Sequence, residues 1–308
     1  MVEKLKKIWC DGEFVDWDAA TIHVLTHSLH YGIAAWDGVR AYQRKDGASY
    51  VFRLREHIDR LFDSCKLCLL KPAQSPEAIF SACVQTLRVN GMVDGYLRPM
   101  VYVGDGAMGV YAPDNTIHST IMAWRWAAHL GADANDRGIR AKISSFARPH
   151  PASAVVKAKI TGQYTNSALA RAEVKHAGYD EAIHLAVDGY VSEASGSNVF
   201  LAKRGVLYTP DLASAILEGV TRDTVIVLAR ELGMTVVEGR VTREQLWLAD
   251  EVFLTGTAAE IVPVREIDDR RIGDGHVGAI TRKLQERYAD ITRGSDTSHP
   301  EWLTRVGA

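Results

Sequence analysis

Lys159-Ile-Thr-Gly-Gln-Tyr164, read together with Glu193 in Val191-Ser-Glu-Ala-Ser-Gly-Ser-Asn198, decides more about this chain than any other stretch. A lysine used in covalent catalysis has to be desolvated, so that its amine is neutral and can attack a carbonyl. A carboxylate held opposite a basic ring nitrogen keeps that nitrogen protonated. The pair therefore asks the rest of the chain for an anion seat and a substrate pocket.

The 308 residues carry a formal net charge of -2, with 47% hydrophobic and 24% charged residues. That is enough chain for two domains with ample core. Near-neutral charge without a basic run speaks against nucleic acid as a partner. No apolar stretch reaches the length of a membrane span. The start, Met1-Val-Glu-Lys-Leu-Lys-Lys7, meets a hairpin almost at once, so no signal peptide is expected and the chain reads as cytoplasmic. Cys65 and Cys68 form a CxxC, but inside the run Ile58, Leu61, Phe62, Cys65, Leu69, whose spacing puts Cys65 on a buried helical stripe. With Cys10 and Cys83 they read as free thiols of a reducing compartment, and no metal is expected.

Hydrophobic periodicity and turn chemistry divide the chain. Ile8 to Val15 is a hairpin around Asp11-Gly12. Helices are expected at 56–70 and 76–90, the second stopped by Gly91. Tyr96 to Val103 is a strand whose Pro99 predicts an edge or a bulge, and Ile117 to Trp126 is another. Ala127 to Gly138, small and polar, is the linker candidate between a domain at 1–126 and one at 139–308. The second domain starts with a strand from Ile139 and a helix from Tyr164 to His176. It continues with hairpins around Asp188-Gly189 and Arg204-Gly205, a helix from Thr221 to Leu232, helices near 242–249 and 277–291, and a strand from Glu251. The polar tail, Arg293 to Ala308, is expected to fray. Mixed, hairpin-rich strands point to an α/β fold of α+β-like mixed sheets rather than a doubly wound parallel sheet.

Two GxGxxG matches, Gly104 to Gly109 and Gly273 to Gly278, read as turns: a helix does not follow the first, nor does a buried strand precede the second. His23, His27 and His30 have helical metal spacing, but Thr21, Ile22, Val24 and Thr26 argue against a helix.

Glu218-Gly219-Val220-Thr221 opens a helix, where free amides favour an anion and Gly219 lets it approach closely. Thr255-Gly-Thr257-Ala-Ala-Glu260 is a second small, hydroxyl-rich loop after an apolar strand. With Lys159 and Glu193 these loops fit pyridoxal phosphate, the lysine as Schiff base and the acid on the pyridine nitrogen.

At this point the residues resemble a family. Ser28-Leu-His-Tyr31-Gly, Asp37-Gly-Val-Arg40, Phe52-Arg-Leu-Arg-Glu-His57, Tyr96-Leu-Arg98-Pro99, Lys159 through Tyr164, Gly178-Tyr-Asp-Glu181, Ser192 to Asn198, Glu218 to Asp223 and Gly256 to Val264 are similar, in order, to class IV (fold type IV) aminotransferases. The likeness is greatest to the bacterial branched-chain branch and runs from about residue 8 to about 290. It implies a two-domain, D-amino acid aminotransferase-like fold. Lys159 would form the internal aldimine and shuttle the proton, and Glu193 would pair with the pyridinium. Arg60, helped by Gly219, Val220, Thr221 and Thr257, would bind phosphate. Tyr164 would bond the phenolic oxygen, with Leu217 packed on the ring. Tyr96 with Thr257-Ala258 would take the α-carboxylate and Arg98 the distal carboxylate of glutamate. Tyr31, Trp36, Arg40, Trp126, His129 and Ala259 would complete the substrate site. A loop at about 107–111 would complete a neighbour's site in a homodimer. The activity implied is ping-pong transamination of L-leucine, L-isoleucine or L-valine with 2-oxoglutarate.

Three departures bear on substrate breadth. Trp36-Asp37-Gly38 stands where branched-chain enzymes commonly have Phe-Glu-Gly, His129 where a tyrosine is usual, and Ile160-Thr161-Gly162 replaces a smaller run. The rival within the fold is a D-amino acid or (R)-amine aminotransferase; a pyridoxal phosphate lyase suits the apolar pocket less. A nucleotide-dependent oxidoreductase would rest on the GxGxxG turns alone.

Overall fold

A computed structural model describes residues 2–126 and 134–307. The chain opens with strands β1 (Lys7–Cys10) and β2 (Glu13–Asp16), helix α1 (His27–Tyr31), and strands β3 (Ala34–Trp36), β4 (Val39–Gln43) and β5 (Ser49–Phe52). Helices α2 (Leu54–Leu67) and α3 (Pro76–Val89) and strands β6 (Gly95–Val103) and β7 (Ile117–Trp124) follow. Next come α4 (Ala134–Arg137), β8 (Ile139–Ile143), α5 (Tyr164–His176), β9 (Glu181–Leu185), β10 (Val191–Ala194), β11 (Asn198–Lys203) and β12 (Val206–Pro210). The rest is α6 (Val220–Glu231), β13 (Thr235–Gly239), α7 (Arg243–Trp247), β14 (Glu251–Gly256), β15 (Glu260–Ile267), β16 (Arg270–Arg271), α8 (Ala279–Thr292) and β17 (Leu303–Val306).

The chain forms two compact units, one of Met1–Trp126, Ala158–Gln163 and Asp290–Ala308, the other of Ala127–Lys157 and Tyr164–Ala289. The sequence-based division at 126 and 139 leaves 158–163 and 290–308 with the C-terminal part; here both segments pack in the first unit. Of the expected linker, residues 127–133 lie outside the described residues and 134–137 form α4.

In the first unit the strand order is β17-β5-β4-β6-β7-β1-β2, with β3 also on β6, and the described pairings are antiparallel. One sheet face meets α2 and α3 in a core containing Val39, Val51, Leu54, Ile58, Leu61, Leu87, Leu97, Val101 and Ile121. Each such side chain contributes about 1.5–3 kcal/mol on burial. Alternation along β6 sends Leu97, Val101 and Val103 into that core and Tyr96 and Arg98 to the other face. In the second unit the order is β10-β9-β8-β15-β14-β11-β12-β13, with β16 on β15. Here β12–β13, β15–β8 and β8–β9 run parallel and the other pairs antiparallel, so the sheet is mixed as expected.

The hairpin turns follow from residue chemistry: Asp11 and Gly12, and Arg204 and Gly205, have positive φ at both positions. Ser75 caps α3 through Ala78 N–H with Pro76 in the first turn, and Thr242 and Gln245 form a capping box on α7. Both GxGxxG matches are turns, with positive φ at Gly106, Gly109, Gly273 and Gly275.

Three expectations are revised. Pro99 lies inside a strand paired on both sides. Its partners β4 and β3 end at Val39↔Leu97 and resume at Trp36↔Met100, so the imino nitrogen falls at the gap, where no ladder bond is lost. A short helix, α1, does form around His27 and His30. Nε2 of each bonds a backbone oxygen, of Gly109 and Val24 respectively. The polar tail does not fray: Leu303–Val306 pairs with Phe52–Ser49 on β5. Trp302 is buried edge-on to Phe52, with the Arg53 guanidinium 5.0 Å from its ring centroid. One buried aromatic outweighs the polar composition around it. Among the described residues, no helix is long and apolar enough to cross a membrane.

Trp302→Ala is expected to lower stability by about 3–5 kcal/mol in guanidinium unfolding. A change below about 0.5 kcal/mol would show that the tail is surface dressing rather than core.

Candidate active site

In the first unit, helix α2 carries two stripes. Leu54, Ile58, Leu61 and Cys65 enter the core, while His57, Arg60 and Ser64, spaced three and four apart, share a second face. That face meets Asp37, whose side chain has no exposure at all. Asp37 Oδ2 accepts from Arg60 Nε (2.8 Å), and Oδ1 accepts from Arg60 Nη2 (2.7 Å), His57 Nδ1 (2.9 Å) and Gly38 N–H (2.7 Å). Burial alone would raise the Asp37 pKa. Arg60 and His57 outweigh it and hold the carboxyl well below the usual carboxylate range. Burial pushes His57 down, against the pull of Asp37, so the ring is neutral with its proton on Nδ1, facing an ionised acceptor.

Lys159 is anchored beside this cluster. Its N–H donates to Ser64 Oγ (3.0 Å), its carbonyl accepts from Trp36 N–H (3.0 Å), and Ile160 bridges Ala35. Gly32 O accepts from Gly162 N–H (2.8 Å) and from Thr161 Oγ1 (2.7 Å). A Cβ on Gly32, which has φ +70°, would stand 2.8 Å from Gly162 Cα. Burial, then the charges of Arg60 and Arg98, push the Lys159 amine down to about 8, with Asp37 and Tyr96 pulling the other way. At pH 7 roughly a tenth of such an amine is neutral, against well under a thousandth for an ordinary lysine.

The outward sheet face brings further expected residues together. Tyr96 and Arg98 lie two apart on β6, Arg40 pairs with Tyr96 across β4, and Trp36 lies on β3. Trp126 packs edge-on to Tyr96 with centroids 4.6 Å apart. Gly38 is required there, because an added Cβ would fall 1.6 Å from the Tyr96 hydroxyl. Tyr31 stands apart at the end of α1, against His27, and is partly exposed. His129 lies outside the described residues.

In the second unit Glu193 is buried on β10. Oε1 pairs with Arg148 Nη2 (2.6 Å), and Oε2 accepts from Asn198 Nδ2 (3.1 Å) and Leu217 N–H (3.0 Å). Asn198 Nδ2 also donates to Leu217 O (3.0 Å), which ties Glu193 to the approach of α6. Gly219 is the N-cap of α6 and offers no side-chain cap; a Cβ there would fall 2.0 Å from Asn198 Oδ1. Val220 and Thr221 form the first turn, Tyr164 opens α5, and Thr257, Ala258 and Ala259 make the turn between β14 and β15. Thr255 Oγ1 is buried without a hydrogen-bond partner among the described residues.

Sequence reasoning assigned no role to Arg148, Trp124, Ser64 or His57. Ser64 and His57 were readable from their helical spacing to Arg60, and Trp124 from its position two before Trp126. Arg148, a lone arginine in a loop, gives no local signal. Among the described residues, no group of three or more His, Cys, Asp or Glu side chains is placed to hold a metal.

The first unit supplies a buried, partly neutral lysine, and the second a buried carboxylate and a glycine-capped helix N-terminus. The chain belongs to the class IV amino-transferase family, whose model matches residues 35–267. It is 45% identical to the branched-chain-amino-acid aminotransferase of Pseudomonas aeruginosa over 99% of both chains. A solved Escherichia coli branched-chain amino acid aminotransferase superposes with a TM-score of 0.96 at 42% identity, covering 99% of this chain and 100% of that one. A solved branched-chain amino acid aminotransferase from T.th., complexed with N-(5'-phosphopyridoxyl)-L-glutamate, gives 0.94 at 41% identity, covering 99% of each. The fold is thus fold type IV, and the family cofactor is pyridoxal 5′-phosphate. The residues present fit it: the glycine-capped N-terminus of α6 and the buried Thr255 hydroxyl suit a phosphate, and Lys159 has the amine an aldehyde needs.

Because the ammonium form has no lone pair, attachment of pyridoxal to Lys159 in the apoenzyme is expected to rise with pH through a midpoint near 8. Borohydride trapping read by mass spectrometry measures it; a midpoint near the ordinary lysine value of about 10.4 would refute the assignment. Asp37→Asn removes an anion that favours the ammonium, so the midpoint should fall below 8. The same substitution takes the buried carboxylate away from Arg60 and His57 and is expected to lower stability by about 3 kcal/mol.

Proposed function

We propose that this chain is a branched-chain amino acid aminotransferase. It moves the amino group of L-leucine, L-isoleucine or L-valine to 2-oxoglutarate in two alternating half-reactions. The observation that carries this reading is a sheet face where aromatic side chains surround Arg98 close to Lys159. An aliphatic side chain needs a dry surface and a distal carboxylate needs a cation, and one set of residues offers both. Full-length similarity to branched-chain enzymes supports the same substrates.

When bound, pyridoxal phosphate supplies an aldehyde that takes up amino groups and a protonated ring that withdraws electron density. Lys159 would hold that aldehyde, and its amine would move the proton at the substrate Cα; a pKa near 8 suits Nζ to accept and return it. Glu193 would hold a proton on the ring nitrogen, and Arg148 pairs with Glu193 from the other side. Arg60, Gly219, Val220, Thr221 and Thr257 would hold the phosphate, Tyr164 would bond the phenolic oxygen and Leu217 would cover the ring. Asp37 orients Arg60 for this task by two charge-assisted bonds. Tyr96, Thr257 and Ala258 take the α-carboxylate and Arg98 the distal one. Trp36, Arg40, Trp126 and Ala259 would border the side chain, whereas Tyr31 stands apart at the end of α1.

The enzyme acts as a homodimer in the cytoplasm. Val110 and Tyr111 are 81% and 85% exposed, and Met108, Leu29 and Val24 are exposed as well. Apolar exposure of that extent suits a surface covered by a second copy, whose loop 107–111 would complete the neighbour's site.

The visible spectrum of purified protein mixed separately with L-leucine and D-alanine, without any keto acid, tests the reading. The yellow band is expected to disappear with L-leucine and return on adding 2-oxoglutarate, and Lys159→Ala to do neither. Bleaching by D-alanine alone would move the function to the D-specific branch of the family.

A further inference from the structure

Among the described residues, no carboxylate pairs with the charge of Arg98. Among the described residues its guanidinium makes no hydrogen bond or ion pair, and its Nε is buried without a partner. Three aromatic rings surround it instead: Trp36, Trp124 and Tyr96, with centroids 4.1, 5.1 and 5.5 Å from Cζ. Strand register builds this cage. Tyr96 and Arg98 share a face of β6 by alternation, Trp124 pairs directly with Tyr96, and Trp36 pairs with Met100, two residues beyond Arg98. Trp124 and Trp126 in turn pack on Tyr96 with centroids 5.0 and 4.6 Å away. Trp36 touches both cations of the site, since Lys159 Nζ lies 4.1 Å from its centroid.

A half-buried guanidinium whose Nε is shut off from solvent and unbonded is costly without compensation. A carboxylate partner would compensate it but would repel an incoming carboxylate. An aromatic face compensates in part and carries no net charge. The cage therefore suits a ligand that is anionic at its far end in one half-reaction and apolar in the other. Tryptophan is the strongest cation–π partner and also the bulkiest. It stands here where the family resemblance expects phenylalanine.

We propose that Trp36 is the specificity-determining residue of this site: by stacking on Arg98 it favours dicarboxylate ligands, and by its bulk it disfavours long aliphatic ones. The proposal rests on the reading that Arg98 receives the distal carboxylate. Replacing Trp36 then has effects of opposite sign on the two substrate classes. A residue that merely walled the pocket would move both together.

The test uses unreactive stand-ins, glutarate and 4-methylpentanoate, titrated into the holoenzyme and read by the absorbance of the bound cofactor. Trp36→Leu is expected to raise the Kd of glutarate about tenfold, ~1.4 kcal/mol. Trp36→Phe should raise it about threefold, while the Kd of 4-methylpentanoate stays within about twofold or falls in both variants. Unchanged glutarate binding, or parallel weakening of both ligands, overturns the proposal. If Trp36→Leu loses the yellow band through misfolding, Trp36→Phe decides alone. Wild-type holoenzyme that is yellow but binds neither ligand would instead remove the underlying functional reading.

Discussion

An ionised carboxylate without water organises the first unit. Asp37 has no exposed surface, so its charge survives only because Arg60 gives it two bonds and His57 and Gly38 one each. Much else follows from meeting that demand. Helix α2 must present His57 and Arg60 on one stripe, which brings Ser64 into position to accept the Lys159 amide. The residue after Asp37 must be glycine, because the Tyr96 hydroxyl fills the space a side chain would need. Lys159 is then left beside two arginines and one aspartate, and that excess of positive charge, added to burial, keeps its amine partly neutral.

The second unit solves the same problem with other parts. Glu193 is buried and is matched by Arg148, with Asn198 and the Leu217 amide on its other oxygen. Asn198 binds both the carboxylate and the Leu217 carbonyl, so the position of the acid and the approach to α6 are set by one side chain. Arg98 is the contrasting case. Asp37 and Glu193 are paired with arginines, whereas the described neighbours of the Arg98 guanidinium are the π faces of Trp36, Trp124 and Tyr96.

Much of this was legible in the residues, and the exceptions have physical causes. Helix α6, its glycine cap, the hairpin turns and the strand bearing Glu193 are local matters of periodicity and φ, and the sequence states them directly. Pro99 misled because edge position is a property of the sheet, and β6 has a gap in its partners at that residue. The tail misled because its polarity hides Trp302, whose burial depends on Phe52 and Arg53, far away in the chain. Arg148 was invisible for the same reason: its meaning lies in Glu193, and only the fold brings them together. Asp37 and Trp36 were noticed as departures, but their relation to Arg60, Lys159 and Arg98 required the register of β3, β4 and β6.

The six residues 158–163 belong to the first unit although the chain on either side of them belongs to the second. Lys159 thus reaches its anchors on Ser64 and Trp36 only by a detour of the polypeptide. A fragment ending near residue 126 would contain the charge cluster that tunes the amine but not the amine. A fragment beginning near residue 139 would contain the amine without the groups that lower its pKa. Splitting the chain at its most obvious boundary would therefore separate the nucleophile from its activation, and ribosomal synthesis delivers the two in sequence: the cluster first, the lysine later.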